Sequence, residues 1–183
     1  MKQVDLNTFS NPTFTPGAGM FKRVIWYLIN AIFFDSPALL PYSFKRSILR
    51  AFGAKIADGV VIKPNVNIKY PWKLSVGENS WIGEGVWIDN LDVVDIGSNA
   101  CLSQGALILS GNHDYSSTSF DLIVKPIRIE DGAWIGAKAI VTQGVVFGSN
   151  SVLAVGSVAS SDIDPNGIYR GNPAQKIKDR VLR

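Results

Sequence analysis

Between residues 56 and 159 a large apolar residue returns every six positions. The blocks run Ile56, Ile62, Ile68; Val76, Ile82, Ile88; Ile96, Leu102, Ile108; Ile129, Ile135, Val141; and Phe147, Leu153, Ala159. Four residues after most of these comes a small or β-branched residue, such as Val60, Ser80, Val86, Ala100, Ala106, Ala139 or Ser157. A period of six matches neither the 3.6 of a helix nor the 2 of a simple strand. It predicts short strands that turn at regular corners, each sending its large residue inward, as in a parallel β-helix. The small residue shares the interior, where a bulkier one would overpack it.

The interruptions sharpen this reading. The first three blocks start at Ile56, Val76 and Ile96, so each holds three hexapeptides plus two further residues. The small-residue rule fails at Trp72, Asp92 and Asn112, always in the third hexapeptide of a block. An insertion at every third repeat means that three repeats complete one turn. The expected cross-section is a triangle with one enlarged corner, and five blocks give about five coils. From Ile96 to Ile129 the offset is 33, which puts a long loop near 109–126 at that same corner.

The flanks read differently. Residues 20–53 have helical character. "VIWYLINAIFF" (Val24 to Phe34) is almost free of polar residues, and Phe44, Ile48, Leu49 and Phe52 share one face ahead of Gly53, a helix-stop position. Beyond 164 the chain turns at Pro165-Asn166-Gly167 and ends in a charged stretch expected to be a short helix. The expected division is an N-terminal extension over 1–55, a β-helix over 56–164 and a tail over 165–183.

Composition narrows the chemistry. A net charge of +3 is too small for a nucleic-acid binder. Basic residues gather at Lys22, Arg23, Lys45, Arg46 and Arg50, and again at Lys176, Lys178, Arg180 and Arg183. They suit either solvated surface or contact with phosphates or anionic lipid. Cys101 is the single cysteine and His113 the single histidine, which leaves no disulfide within the chain and no N/S-rich zinc site. The beginning lacks the apolar core of a signal peptide. A cytoplasmic location is therefore expected. The apolar run Val24 to Phe34 is too short to span a bilayer, and the segment 20–34 would either pack on the body of the protein or lie in a membrane interface beside Lys22 and Arg23.

His113 stands in the long loop, in "ILSGNHDYSSTSF" (Ile108 to Phe120). A polar loop on a rigid prism is a common place for function, and imidazole is the side chain matched to proton transfer near neutral pH. A surface histidine without a role fits the same pattern. Nucleotide-binding and nucleophile-elbow motifs are absent from the sequence.

The hexapeptide array, "GNHDYS" (Gly111 to Ser116), "WIGAKAIVTQGVVFGSNSVLAVGSV" (Trp134 to Val158) and "YRGNPAQKI" (Tyr169 to Ile177) resemble the hexapeptide-repeat acyltransferases. "QVDL" (Gln3 to Leu6), "FSNP" (Phe9 to Pro12), "IKYPW" (Ile68 to Trp72) and "WIDN" (Trp87 to Asn90) bring the likeness closest to the colanic-acid-type sugar O-acetyltransferases. The resemblance implies a left-handed parallel β-helix that uses acetyl-CoA without a metal, assembled as a homotrimer with active sites between subunits. It implies that His113 is the general base and that Asp89, with Asn90 as a weaker companion, holds the acceptor. For the coenzyme it points to Trp134, to the backbone amides of Ala137 and Val155, and to Ser160 and Ser161. The last two stand where relatives carry a Thr-Lys pair, so Arg170 and Lys176 are the substitutes for the missing lysine. Trp72, Trp81 and Trp87 are candidates for the subunit contact.

The implied function is acetyl transfer to a sugar or exopolysaccharide precursor, near the inner face of a membrane if 20–34 touches one. Acetylation of an antibiotic or small amine by the same chemistry is the alternative enzyme, and a non-catalytic scaffold the alternative class. A γ-type carbonic anhydrase would need histidines that the chain lacks.

Overall fold

In the computed structural model, which describes residues 3–183, the hexapeptides build a three-sided parallel β-helix. Face A stacks Lys55–Ile56, Leu74–Val76, Val94–Ile96, Ile127–Ile129 and Val146–Phe147. Face B stacks Val61–Ile62, Trp81–Ile82, Cys101–Leu102, Trp134–Ile135 and Val152–Leu153. Face C stacks Asn67–Ile68, Trp87–Asp89, Leu107–Leu109, Ile140–Thr142 and Val158–Ala159. Every large residue of the six-residue period is buried, as are the small residues four positions later. Identical registers align coil after coil, so Ile62, Ile82, Leu102, Ile135 and Leu153 form one continuous interior row.

Five complete coils are followed by the start of a sixth, in which Ile163 bridges to Phe147 and Gly167–Gly171 joins face B. Here the structure corrects the expected C-terminal helix. Gly167–Gly171 and Ala174–Asp179 form an antiparallel hairpin, with Gly171 at φ +105° entering the Asn172-Pro173 turn. Tyr169 is buried, and its hydroxyl donates to Asp164 Oδ2 at 3.0 Å, anchoring the first strand. The last coil presents an open sheet edge, and the pairing it offers outweighs local helix preference. The new edge strand carries Lys176 and Lys178, charges that discourage further strand addition. Arg180 fastens the hairpin by donating to the carbonyls of Gly132 and Asn150, both at 3.1 Å.

The opposite end is closed by helices. α1 (Met20–Ile29) continues through a π-helical turn over Asn30–Phe34, and α2 (Tyr42–Ala51) follows. Trp26, Phe34 and Leu49 bury themselves on the first coil. The helices also satisfy that coil's outward-facing backbone. Arg50 donates to the Ile56 carbonyl, Arg46 to Val60, Lys45 to Lys63 and Trp26 to Ile68, at 2.7–3.1 Å. Three of the N-terminal basic residues therefore cap the sheet edge. Among the described residues no helix is long and apolar enough to cross a membrane.

Candidate active site at the enlarged corner

The corner between faces C and A carries the extra residues of each coil. In the first coil these form a turn over Pro71–Lys73. In the second, Asn90 is fully buried and binds the first: its amide donates to the Tyr70 carbonyl and its Oδ1 accepts from Tyr70 N–H at 2.9 Å. In the third coil the expected loop is an ordered antiparallel hairpin, Gly111–His113 against Leu122–Val124. Lys125 N–H closes its base on the Ser110 carbonyl at 3.0 Å.

His113 sits at the end of the first hairpin strand, part-buried. Its Nδ1 lies 2.9 Å from the Phe120 carbonyl. A carbonyl only accepts, so Nδ1 carries the proton and Nε2 keeps the lone pair. The Phe120 ring stacks on the imidazole, 4.2 Å between centroids and 9° from parallel. Phe120 reaches this pose at φ +54°, a left-handed conformation that costs a bulky residue on the order of 1 kcal/mol. Asp114 does not orient the histidine. It bonds Ser116 N–H at 2.8 Å and the Ser116 hydroxyl, which together hold its carboxyl below the usual range.

The N-terminal segment straps this corner. Asp5 N–H donates to Thr118, Asn11 Oδ1 accepts from Leu122 N–H, and Phe9 tilts against His113 at 5.8 Å between centroids. Farther along, Trp72 donates its indole N–H to the Pro16 carbonyl at 2.7 Å and stacks on Tyr70. Trp72 is thus half-buried under its own chain. Trp81 on face B and Trp87 on face C remain outward and about half exposed.

Asp89 ends a face C strand beneath the hairpin and is 8% exposed. Its backbone carbonyl accepts from Ser110 N–H at 3.2 Å and from the Ser110 hydroxyl at 3.0 Å. Its Oδ1 is 3.0 Å from Lys69 Nζ, an ion pair outside hydrogen-bonding alignment. Since Nδ1 of His113 is taken by Phe120, Asp89 is not its orienting group within the chain. Asn90 has both amide groups committed to Tyr70 and serves the corner itself.

The coenzyme candidates lie higher on the prism. Trp134 is outward on face B, its indole N–H donating to Ser103 at 2.8 Å. Ala137 and Val155 occupy the B–C corner in successive coils, linked by Gly156 N–H to the Ala137 carbonyl at 2.9 Å. Among the described residues neither of their own N–H groups donates to a backbone carbonyl. Ser160 and Ser161 are exposed at the far end of the last face C strand, so Val155 and Ser160 bracket Val158–Ala159. Arg170 and Lys176 are exposed on the C-terminal hairpin, with Lys176 Nζ 2.8 Å from Asp179. On one prism, then, His113 and the Trp134–Ala137–Val155 group sit at different corners. Sequence reasoning missed Phe120, Phe9 and Lys69. The "FSNP" likeness was the only signal pointing toward the strap.

The model of the hexapeptide repeat of succinyl-transferase matches residues 126–159. A protein of Escherichia coli K12 named as a colanic acid biosynthesis acetyltransferase, WcaF, is 37% identical over 178 residues, covering 97% of each chain. This chain belongs to the hexapeptide-repeat acetyltransferases. A galactoside O-acetyltransferase of the same bacterium is 26% identical over 138 residues, 74% of this chain and 68% of that one. Among solved structures, a hexapeptide-repeat acetyltransferase from Vibrio cholerae O1 biovar eltor complexed with acetyl coenzyme A superposes with a TM-score of 0.82. It is 20% identical and covers 96% of this chain and 97% of its own. As a hexapeptide-repeat acetyltransferase the chain is an enzyme, and its prism is the left-handed parallel β-helix of its structural neighbours. The family match spans the N-terminal strap as well as the coils.

Proposed function

We propose that this acetyltransferase moves the acetyl group of acetyl-CoA to a hydroxyl of a sugar, with His113 as general base. The observation that carries the reading is the Nδ1 bond to Phe120, which leaves the Nε2 lone pair free on an ordered hairpin. The acceptor oxygen attacks the thioester carbonyl carbon while its proton passes to Nε2. Collapse of the tetrahedral intermediate breaks the C–S bond, and the departing thiolate takes that proton back. The products are an acetyl ester and free CoA, and the histidine returns neutral. Such a base contributes ~10²–10⁴-fold. Direct transfer is supported by Cys101, the single thiol, which burial pushes above its ordinary range and so away from nucleophilic thiolate. The E. coli relatives named for colanic acid biosynthesis and for galactoside acetylation support a sugar acceptor.

In this reading Asp89 accepts a bond from the sugar, and the free N–H groups of Ala137 and Val155 bond the coenzyme's amide-bearing arm. Trp134 flanks the thioester, Ser160 and Ser161 bond beyond the arm, and Arg170 and Lys176 meet the phosphates. The site lies between the subunits of a homotrimer. Support comes from the outward rows of the prism. Face A shows Lys55, Ser75, Asp95, Arg128 and Val146, whereas face B shows Val61, Trp81, Cys101, Trp134, Val152 and Ile168. An apolar column of that length on a lone prism is the kind of patch that a partner covers. The outer side of α1 and its π-helical turn, with Phe21, Val24, Leu28 and Ile32 exposed, supports peripheral contact with a bilayer.

Thiol release from acetyl-CoA with a panel of galactosides, compared between wild type and His113→Ala, tests the base. Equal transfer by both overturns it. Sedimentation of wild type and Trp81→Glu tests the trimer, and flotation with anionic vesicles tests the α1 contact.

A further inference from the structure

A cleft of about 440 Å³ opens between α1 and the first two coils, on the C side of the prism. Tyr27 lines it from the helix and Trp87 from the sheet, 72% and 47% exposed, with Tyr70, Lys69 and Arg23 completing the lining. Its floor is already bonded: Asn30 donates to Asn67 at 3.1 Å, and Asn67 donates to Asp35 at 3.0 Å. The walls therefore stand on a rigid base.

One buried polar atom of the lining, Arg23 Nε, lacks a hydrogen-bond partner. The other two such atoms among the described residues lie outside the lining, Arg46 Nε in the helical cap and Asp89 Oδ1 paired with Lys69 Nζ. Arg23, Lys69 and Tyr70 bring hydrogen-bond donors to the lining, and Asp35 brings an acceptor. The charges of Arg23 and Lys69 are offset by Asp35 and Asp89, which disfavours a polyanion. Flat aromatic walls with separated donors and acceptors match a sugar ring, with its apolar C–H faces and its rim of hydroxyls. The cleft also adjoins the strand that carries Asp89. Trp87 and Asp89 share one strand, and Asp89 holds Ser110, which opens the His113 hairpin.

We propose that this cleft is a glycan subsite, and that the acceptor is an oligosaccharide whose acetylated ring lies at Asp89 while its neighbour stacks on Trp87 and Tyr27. The inference rests on the sugar-acceptor reading above. It assigns Arg23, Tyr27 and Trp87 to binding the second ring, and none of them to the chemical step.

The full chain, saturated with acetyl-CoA, is titrated calorimetrically with galactose, galactobiose and galactotriose, and with the matching gluco- and manno-series. At least one trisaccharide is expected to bind about tenfold more tightly than its monosaccharide, and Trp87→Ala and Tyr27→Ala each remove most of that gain. Acetyl-CoA affinity and melting temperature stay at wild-type values, which shows that the variants are folded. Absence of a length-dependent gain in all three series, or its survival in both variants, overturns the subsite. His113→Ala separates the two readings. Length-dependent binding without His113-dependent transfer brings down the general base alone. His113-dependent transfer that is equal for mono- and trisaccharides, without tighter trisaccharide binding, brings down the subsite alone.

Discussion

His113 donates its Nδ1 proton to the backbone carbonyl of Phe120 at 2.9 Å while the Phe120 ring stacks on its imidazole. One residue thus sets both the tautomer and the plane of the base. A backbone carbonyl stays neutral when the imidazole is protonated, so the hairpin holds the base by geometry more than by charge.

Replacing His113 with alanine is expected to lower kcat for acetyl transfer by ~10²–10⁴-fold. Calorimetric affinity for acetyl-CoA stays unchanged, because the residues assigned to the coenzyme lie on later coils. A parallel loss of coenzyme binding would show that the hairpin has a structural role instead.

Phe120 offers a cleaner dissection. Both Phe120→Ala and Phe120→Gly lose the stack, but only alanine keeps the cost of φ +54°. Phe120→Gly should therefore be about 1 kcal/mol more stable than Phe120→Ala in urea unfolding, with kcat reduced in both. Phe9→Ala, which removes the tilted ring 5.8 Å from the imidazole, should lower kcat and leave the KM for acetyl-CoA unaffected.

The interior rows set a packing limit. Ala106 and Ile108 are both fully buried in the third coil. Ile108→Ala is expected to cost ~2–5 kcal/mol through the cavity it leaves, and Ala106→Leu ~1–3 kcal/mol or more through overpacking. Chemical denaturation followed by circular dichroism checks both.

Lys45 gives a pH signature. Its ammonium is buried against the Phe34 ring and donates to the Lys63 carbonyl, and desolvation lowers its pKa from 10.5. Between that lowered value and 10.5 the unfolded chain binds more protons than the folded one. The contribution of Lys45 to stability therefore rises with pH across this window and is constant below it. Relative to Lys45→Met, the wild type should gain unfolding free energy between neutral pH and pH ~10. A difference that does not vary with pH would contradict this.

The period of six, the triangle, the enlarged corner and the placement of His113 outside the packed core were legible in the chain. Each depends on which side of a short strand a residue faces, and the linear pattern records that directly. The same pattern shows Ile62, Ile82 and Leu102 as one row without any knowledge of what lies beyond the faces.

What the sequence could not decide depends on contacts between distant segments. The tail 174–179 has the composition of a charged helix, yet an unpaired face B edge draws it into a strand. Nothing near Trp72 in the chain shows that Pro16, 56 positions away, accepts its indole proton. Arg46 and Arg50 look like free surface until the first coil offers them carbonyls. Asn90 looks like a ligand contact, but Tyr70 uses both of its amide groups. Only the folded chain sets Phe120 at positive φ over His113 and brings Tyr27 and Trp87 to one cleft. Side-chain direction is local, so the sequence determined the prism. Hydrogen-bond completion is not local, so tertiary structure decided the ends, the strap and the site.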